Sequence, residues 1–315
     1  MQRFTIDLGL FILFCSTVSL FAEEATKDLD STSPLSILEP SLQDQSEAER
    51  RIRAFDRLYI SIARAKYMKA RELEEKGATE EAKAVSDEAR KQFELVKDAY
   101  LLGLSKYDNS AVLHNFYGEF LLDYLGKADE AAGHWQRAVA LDGKHARAHN
   151  NLGMYWLHIG KYPEGLKHMN RALALEPDNP DYLFNMIQVY LTNYLQVMEI
   201  NHWSRNEIFE EAMRLSERTV KLAPTDFELL RDHALNYFLA DDFGIVPDWK
   251  KAAEAWRAAG KHARGKVEKF NVRLNEARVH IRAENRKQAK KCLKEADALI
   301  PNNPLVQTLM EEVDR

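Results

Sequence analysis

Apolar residues between His149 and Pro180 recur at a helical spacing in two consecutive blocks. A recurrence every three to four residues predicts two amphipathic helices, each with one apolar face. Gly160 ends the first block and Pro163 opens the second, since glycine favours helix ends and proline suits a first turn. The apolar positions are Leu152, Trp156 and Ile159 in the first helix and Leu166, Met169, Ala172 and Leu173 in the second. The segment therefore predicts an antiparallel helix pair.

Comparable pairs recur along most of the chain. Two short helices cannot bury their apolar faces alone, so recurring pairs indicate a stack in which each pair covers its neighbours. The predicted pairs occupy residues 111–145, 146–179, 180–226, 227–269 and 270–303. The sequence thus predicts an all-α protein.

The pair at 146–179 resembles a tetratricopeptide repeat (TPR), a 34-residue helix–turn–helix unit. The positions that match the TPR pattern are Leu152, Gly153 and Trp156 in the first helix and Gly165, Met169, Ala172 and Pro177 in the second. The resemblance implies an α-solenoid of stacked antiparallel helix pairs that winds as a right-handed superhelix. It also implies a concave groove, which such arrays use for binding.

Four residues depart from the TPR pattern. Gly165 stands where the family prefers alanine, and Ile187 replaces a small residue at a close approach of helices. His233 and Glu276 occupy the position that is usually leucine. We expect these departures to alter local packing angles while leaving the architecture unchanged.

The segments that flank the repeats differ from them. Residues 46–110 predict a divergent N-terminal hairpin of two long helices. The first, from Ser46 to Glu75, would extend roughly 45 Å at about 1.5 Å per residue. Residues 304–315 carry one apolar stripe and predict a capping helix with a polar outer face, which repeat arrays need for solubility.

An insertion at 194–206 interrupts the third pair and concentrates apolar residues. These are Tyr194, Val197, Met198, Ile200 and Trp203. Tyrosine and tryptophan are frequent in binding hot spots, so the insertion is a candidate second binding surface. The alternative is that it extends the preceding helix and packs against its neighbour.

The N-terminal 22 residues resemble a secretory signal peptide, because one arginine precedes an apolar run that ends at Ala22. The run is shorter than the roughly 20 residues that span a membrane, although an uncleaved membrane anchor remains the alternative. Residues 23–45 are acidic, contain serine and proline, and predict a flexible leader. We therefore expect an exported protein, either periplasmic or secreted.

Charge and motif content argue against nucleic-acid binding and catalysis. The formal net charge is −5, with both signs interspersed and no basic stripe. The patterns typical of zinc proteases, phosphate-binding loops and nucleophile elbows do not occur in the sequence. We expect a non-enzymatic protein without a cofactor, whose partner is a protein or peptide.

Histidine and cysteine supply the remaining candidate chemistry. His145 and His149 are four residues apart, but a metal site needs a third ligand and a second shell. His149, like His114, also falls at a packing position of the repeat, so we expect no metal there. Cys292 lies within the apolar pattern of a helix, which predicts a buried and unreactive thiol.

The TPR resemblance places certain positions of each first helix in the concave groove. The candidate partner-binding residues are Arg147, Asn150, Asn151, Met154, His158, Phe184, Asn185, Gln188, Arg231, Asp232, Asn275 and Arg278. An amide or acid recurs at one of these positions, as Asn151, Asn185, Asp232 and Asn275. Asparagine offers both a donor and an acceptor to an extended peptide backbone. The alternative is that these side chains form hydrogen bonds within the repeats.

Two functions follow from these observations. The first is a scaffold or adaptor that binds a segment of a protein partner in the groove. The second is a structural protein of the cell envelope that self-associates through the insertion or the N-terminal hairpin.

Overall fold

The computed structural model describes residues 34–315. The expected signal peptide, the alternative membrane anchor and residues 23–33 of the expected leader lie outside these described residues. The helices are α1 Gln45–Glu75, α2 Thr79–Lys106, α3 Ala111–Leu125, α4 Ala128–Leu141, α5 Ala146–His158, α6 Tyr162–Leu175, α7 Pro180–Thr192, α8 Tyr194–Asn201, α9 Arg205–Leu222, α10 Phe227–Asn236, α11 Trp249–Gly260, α12 Lys266–Arg282, α13 Arg286–Leu299 and α14 Pro304–Asp314. Residues 34–315 contain no β-strand, and the predicted all-α fold of antiparallel helix pairs is confirmed.

The described residues divide into two compact units, with the boundary between Gly143 and Lys144. The described part of the first unit contains the long α1–α2 hairpin and the α3–α4 pair. A buried polar contact joins the hairpin, since the Tyr100 hydroxyl donates to Asp56 Oδ2 at 2.7 Å. Burial raises the pKa of Asp56, while the bond from Tyr100 and the charge of Arg53 oppose that rise.

The second unit consists of α5 to α14. Its helices pack successively as the pairs α5–α6, α7–α9, α10–α11 and α12–α13, and α14 packs on α13. Asp226 and Ser204 begin α10 and α9 by accepting hydrogen bonds from backbone amides in the first turn. These caps explain why the helices start directly after the polar turns.

A close backbone approach distinguishes the α5–α6 pair. A Cβ atom added at Gly153 would lie 2.6 Å from Met169 Cγ, and one added at Gly165 would lie 2.5 Å from Leu157 Cγ. Both glycines therefore allow the two helices to approach. The glycine at 165, which departs from the family preference for alanine, fits the neighbouring Leu157 side chain.

The leader was expected to be flexible as far as residue 45, and the structure corrects this for residues 34–43. They form two short 3-10 helices, at Pro34–Ile37 and Glu39–Gln43. Leu38 is 2% exposed, and the Tyr107 hydroxyl donates to the Leu42 carbonyl oxygen at 3.0 Å. The apolar side chains of Leu38 and Leu42, four residues apart, thus pack this segment onto the fold. The acidic composition of the segment did not indicate this packing.

The insertion after α7 forms a separate short helix, α8, instead of extending α7. Val197 is 1% exposed, and the other four aromatic or apolar residues singled out in the insertion are partly buried against the same core cluster. This burial favours packing over a second binding surface. A 3-10 helix at Tyr237–Phe243 follows α10, and its Phe243 contacts Tyr194 and Phe209.

Within residues 34–315, no helix is both long enough and apolar enough to cross a membrane.

Candidate functional site

The twelve candidate binding residues lie on α5, α7, α10 and α12, the first helices of the pairs in the second unit. Their exposure is uneven. Arg147, His158 and Arg278 are exposed, whereas Asn150 and Asn185 are each 7% exposed. The half-buried members are Asn151, Met154, Phe184, Gln188, Arg231, Asp232 and Asn275. The face therefore combines accessible side chains with others that already serve the fold.

Asn150 and Asn185 bond to each other across two helices. The side-chain amide of Asn185 on α7 donates to Asn150 Oδ1 on α5 at 3.1 Å. Both side chains are buried away from water, so each provides the other with the hydrogen-bond partner that solvent does not supply. For Asn185 this favours the interpretation in which the asparagine bonds within the array.

The other amide and acid positions are not equivalent to Asn185. Asp232 accepts from its neighbour Arg231 at 3.0 Å, and Arg231 also pairs with Glu228. Burial raises the pKa of Asp232, although the Arg231 charge opposes the rise. Asn275 donates to the Asn271 carbonyl oxygen at 2.9 Å. The four positions thus do not form a uniform ladder.

Arg278 joins this face to the preceding pair. Its guanidinium donates to Asn275 Oδ1 at 2.9 Å and lies 4.9 Å from the centre of the Phe238 ring. A cation over an aromatic face is stabilised by the ring quadrupole. Arg278 is therefore both a candidate contact and a link between neighbouring segments.

The departure from leucine at His233 is compensated by a polar network. His233 Nδ1 lies 2.9 Å from Ser216 Oγ, and the Asn236 amide donates to the same oxygen at 3.3 Å. His233 is 8% exposed, and burial lowers its pKa. The neutral ring is therefore held between α9 and α10 as a packed, hydrogen-bonded group.

Two histidine pairs have matching geometry, one in each unit. His114 and His134 bring their Nδ1 atoms to 2.8 Å, and His149 and His168 do the same. One ring must donate and the other accept at this distance, so at least the accepting imidazole is neutral. Burial first, and then the neighbouring His114, lower the pKa of His134 to about 4. His149 therefore packs against its partner, as its repeat position predicts.

The spacing of His145 and His149 does not make them a chelating pair. His145 precedes α5 as its cap, and its Nδ1 accepts from the Ala148 backbone amide at 3.2 Å. The Nδ1 of His149 faces His168 instead. Each ring thus uses Nδ1 for a different local partner.

A cluster that sequence reasoning missed lies between α12 and α13. The ligand atoms of Glu276, His280 and Cys292 all lie within 4.8 Å of one another. Cys292 is 4% exposed, as expected of a buried thiol, and burial raises its pKa to about 12. The spacing of Glu276 and His280, four residues apart on one helix, was the available signal, but the approach of Cys292 depends on how the helices pack.

Comparison with known proteins supports the TPR resemblance. Residues 121–180 match the family model described as tetratricopeptide repeat. A curated relative, tetratricopeptide repeat-containing protein trd-1 of Caenorhabditis elegans, is 29% identical over 157 residues. This match covers 49% of the chain but only 17% of that relative.

Two solved structures share the fold. YrrB, described as a TPR protein with an unusual peptide-binding site, has a TM-score of 0.52 at 18% identity, covering 68% of this chain and 99% of its own. The C-terminal part of a TPR repeat-containing protein from Cytophaga hutchinsonii has a TM-score of 0.53 at 18% identity, covering 82% and 99%. These likenesses establish the α-solenoid fold class and nothing about a ligand.

Proposed function

We propose that this TPR-fold chain is a non-enzymatic scaffold or adaptor that binds a segment of a protein partner. The binding face is formed by α5 and α7, and the exposed Arg147 and His158 lie on it. Proteins of this fold generally mediate protein–protein interactions. We also propose that the chain is exported, on the strength of its signal-like N-terminus.

The assignment of the binding face rests mainly on the Asn150–Asn185 hydrogen bond. It aligns α5 with α7, and residues three or four positions along each helix then share the surface beside it. Those residues are Met154 on α5 and Gln188 on α7, both half-buried. Met154 packs in part against the core cluster, so the accessible groups of this surface are the Gln188 amide, the His158 imidazole and the outer part of the Met154 side chain, which suit a segment with both apolar and polar groups.

Affinity capture from the native envelope fraction, followed by crosslinking, tests this proposal. The double variant His158→Ala/Gln188→Ala should weaken capture of a reproducible partner by about five-fold or more, because loss of interface anchors costs over about 1 kcal/mol. Lys167→Ala, an exposed change on the second helix α6, is the matched control and should leave capture unchanged. Equal capture by wild type and the double variant would rule out this face.

Self-association remains a second candidate because the N-terminal hairpin exposes large apolar side chains. On α1, Leu58 is 40% exposed and Met68 is 61% exposed. Size-exclusion chromatography with light scattering distinguishes the two functions. A strict monomer at high concentration would exclude assembly, whereas a concentration-dependent oligomer that Met68→Glu disrupts would favour it.

A further inference from the structure

The packing of α12 on α13 creates an open cleft of about 400 Å³ in the last helix pair. Glu276 and His280 lie one turn apart on α12, and Cys292 reaches the same cleft from α13. Residues four apart on a helix share a face, so the carboxylate and imidazole project together. The cleft therefore brings together three donor atoms of different elements.

The donor set matches the preferences of a borderline-soft divalent cation. Thiolate sulfur, imidazole nitrogen and carboxylate oxygen are the ligands of Zn²⁺ in proteins. Bond lengths of about 2.0–2.3 Å in a tetrahedral site place ligand atoms roughly 3.3–3.6 Å apart. The three atoms already lie within 4.8 Å, so a closing of about 1 Å brings them to that spacing.

The two oxygen atoms of the Glu276 carboxylate have different neighbours. Arg273 Nη1 donates to Oε2 at 2.8 Å, whereas Oε1 lies 3.9 Å from His280 Nε2 and 3.5 Å from Arg257 Nε. Oε1 makes only the longer contacts and is the oxygen that faces the imidazole. The Arg273 bond to Oε2 would orient the carboxylate, as second-shell partners do for metal ligands.

Glu295 supplies additional negative charge at the cleft. It lines the same cleft one turn beyond Cys292 and accepts from Arg273 Nε at 2.9 Å. Arg273 is therefore shared between two carboxylates. The cleft lining also carries the cations Arg257 and Lys291, and Lys291 Nζ lies 3.9 Å from Glu295 Oε1. The cleft is partly open to solvent, so we assign the fourth ligand position to a water molecule.

We propose that Glu276, His280 and Cys292 form a binding site for one Zn²⁺ ion, with water as the fourth ligand. Binding converts the Cys292 thiol to a thiolate, and the proton leaves to solvent. The site ties α12 to α13 because its ligands come from both helices. This function is independent of the proposed partner-binding face on α5 and α7.

Titration of the full-length chain, prepared without a polyhistidine tag, with Co²⁺ tests the site, since a Co²⁺–thiolate bond absorbs in the near ultraviolet. We expect this absorption to saturate at one equivalent and to disappear when one equivalent of Zn²⁺ is added. Cys292→Ser should abolish the band, while His158→Gln, a change at an exposed histidine away from the cleft, should retain it.

His280→Gln guards against a folding failure of the cysteine variant, because its side chain is 12% exposed and its loss leaves the thiol in place. We expect helix content to be unchanged and Zn²⁺ affinity to fall by about ten-fold or more. His158→Gln, at an exposed histidine on α5, should leave the affinity unchanged. A band that survives in Cys292→Ser, or equal Zn²⁺ affinity of His280→Gln and the wild type, would overturn the proposal, as would no binding by the folded wild-type chain.

Discussion

Replacing Gly165 with alanine tests the close packing of α5 on α6. Alanine is the residue that the TPR pattern prefers there, and Gly→Ala in a helix interior ordinarily stabilises by about 1 kcal/mol. In this chain the new Cβ would lie 2.5 Å from Leu157 Cγ, 2.9 Å from Leu157 Cδ2 and 3.0 Å from the Gly153 carbonyl oxygen. The Leu157 side chain must therefore move, and the backbone oxygen, which cannot rotate away, must shift by a few tenths of an ångström.

Overpacking of this kind costs about 1–3 kcal/mol. The strain exceeds the gain in helix propensity because two contacts must yield together, one of them to backbone. We therefore expect Gly165→Ala to lower the free energy of unfolding by about 1 kcal/mol, and by at most about 2. Urea denaturation followed by far-ultraviolet circular dichroism measures the change as a lower midpoint at constant slope.

Gly133→Ala is the matched control. Gly133 lies within α4, and a Cβ added there would meet nothing within 4 Å. This change should raise stability by about 0.5–1 kcal/mol through propensity alone. A second test places Gly165→Ala in a Leu157→Ala background, where the contacts with Leu157 are absent and only the contact with the Gly153 carbonyl oxygen remains, so most of the cost should disappear. If Gly165→Ala stabilises the chain as much as Gly133→Ala does, the packing argument is wrong.

Two further outcomes follow from buried polar groups. Asn185→Ala should cost about 1–3 kcal/mol, because it leaves the buried Asn150 Oδ1 without its hydrogen-bond donor, and adding Asn150→Ala should recover part of that loss in the same urea assay. The lowered pKa of His134, about 4, means that the unfolded state binds more protons than the folded state between pH 6.5 and 4. The contribution of His134 to the free energy of unfolding is fully present above pH 6.5. We expect that free energy to fall by about 1 kcal/mol between pH 7.5 and 5, after discounting for the partial exposure of the ring. His134→Gln should reduce this pH dependence, whereas His158→Gln should not, and identical pH profiles for all three proteins would contradict the account.

The helix pairs were predictable because their information is local. The apolar spacing of Leu166, Met169 and Ala172 predicts one buried face, and all three residues are buried in α6. Pro163 and Gly160 mark the turn between α5 and α6, where Gly160 has a φ of 80°. Such signals need no knowledge of distant residues.

Features that depend on the phase of one helix against another were not predictable. The Asn150–Asn185 bond spans 35 residues, and neither side chain indicates which face of its helix meets the other. The approach of Cys292 to Glu276 has the same origin. The packing of residues 34–43 was not predicted, because their acidic composition indicated a flexible segment. Leu38 and Leu42 nevertheless have a helical spacing.

We propose that a protein partner contacts the face formed by α5 and α7. A photo-crosslinking amino acid in place of His158, and in a separate protein in place of Lys167, tests it in the native cells. Both positions are exposed, and they lie on the first and second helix of one pair. The account predicts a defined covalent adduct from position 158 and none from position 167. Adducts of equal yield from both positions, or from position 167 alone, would contradict it.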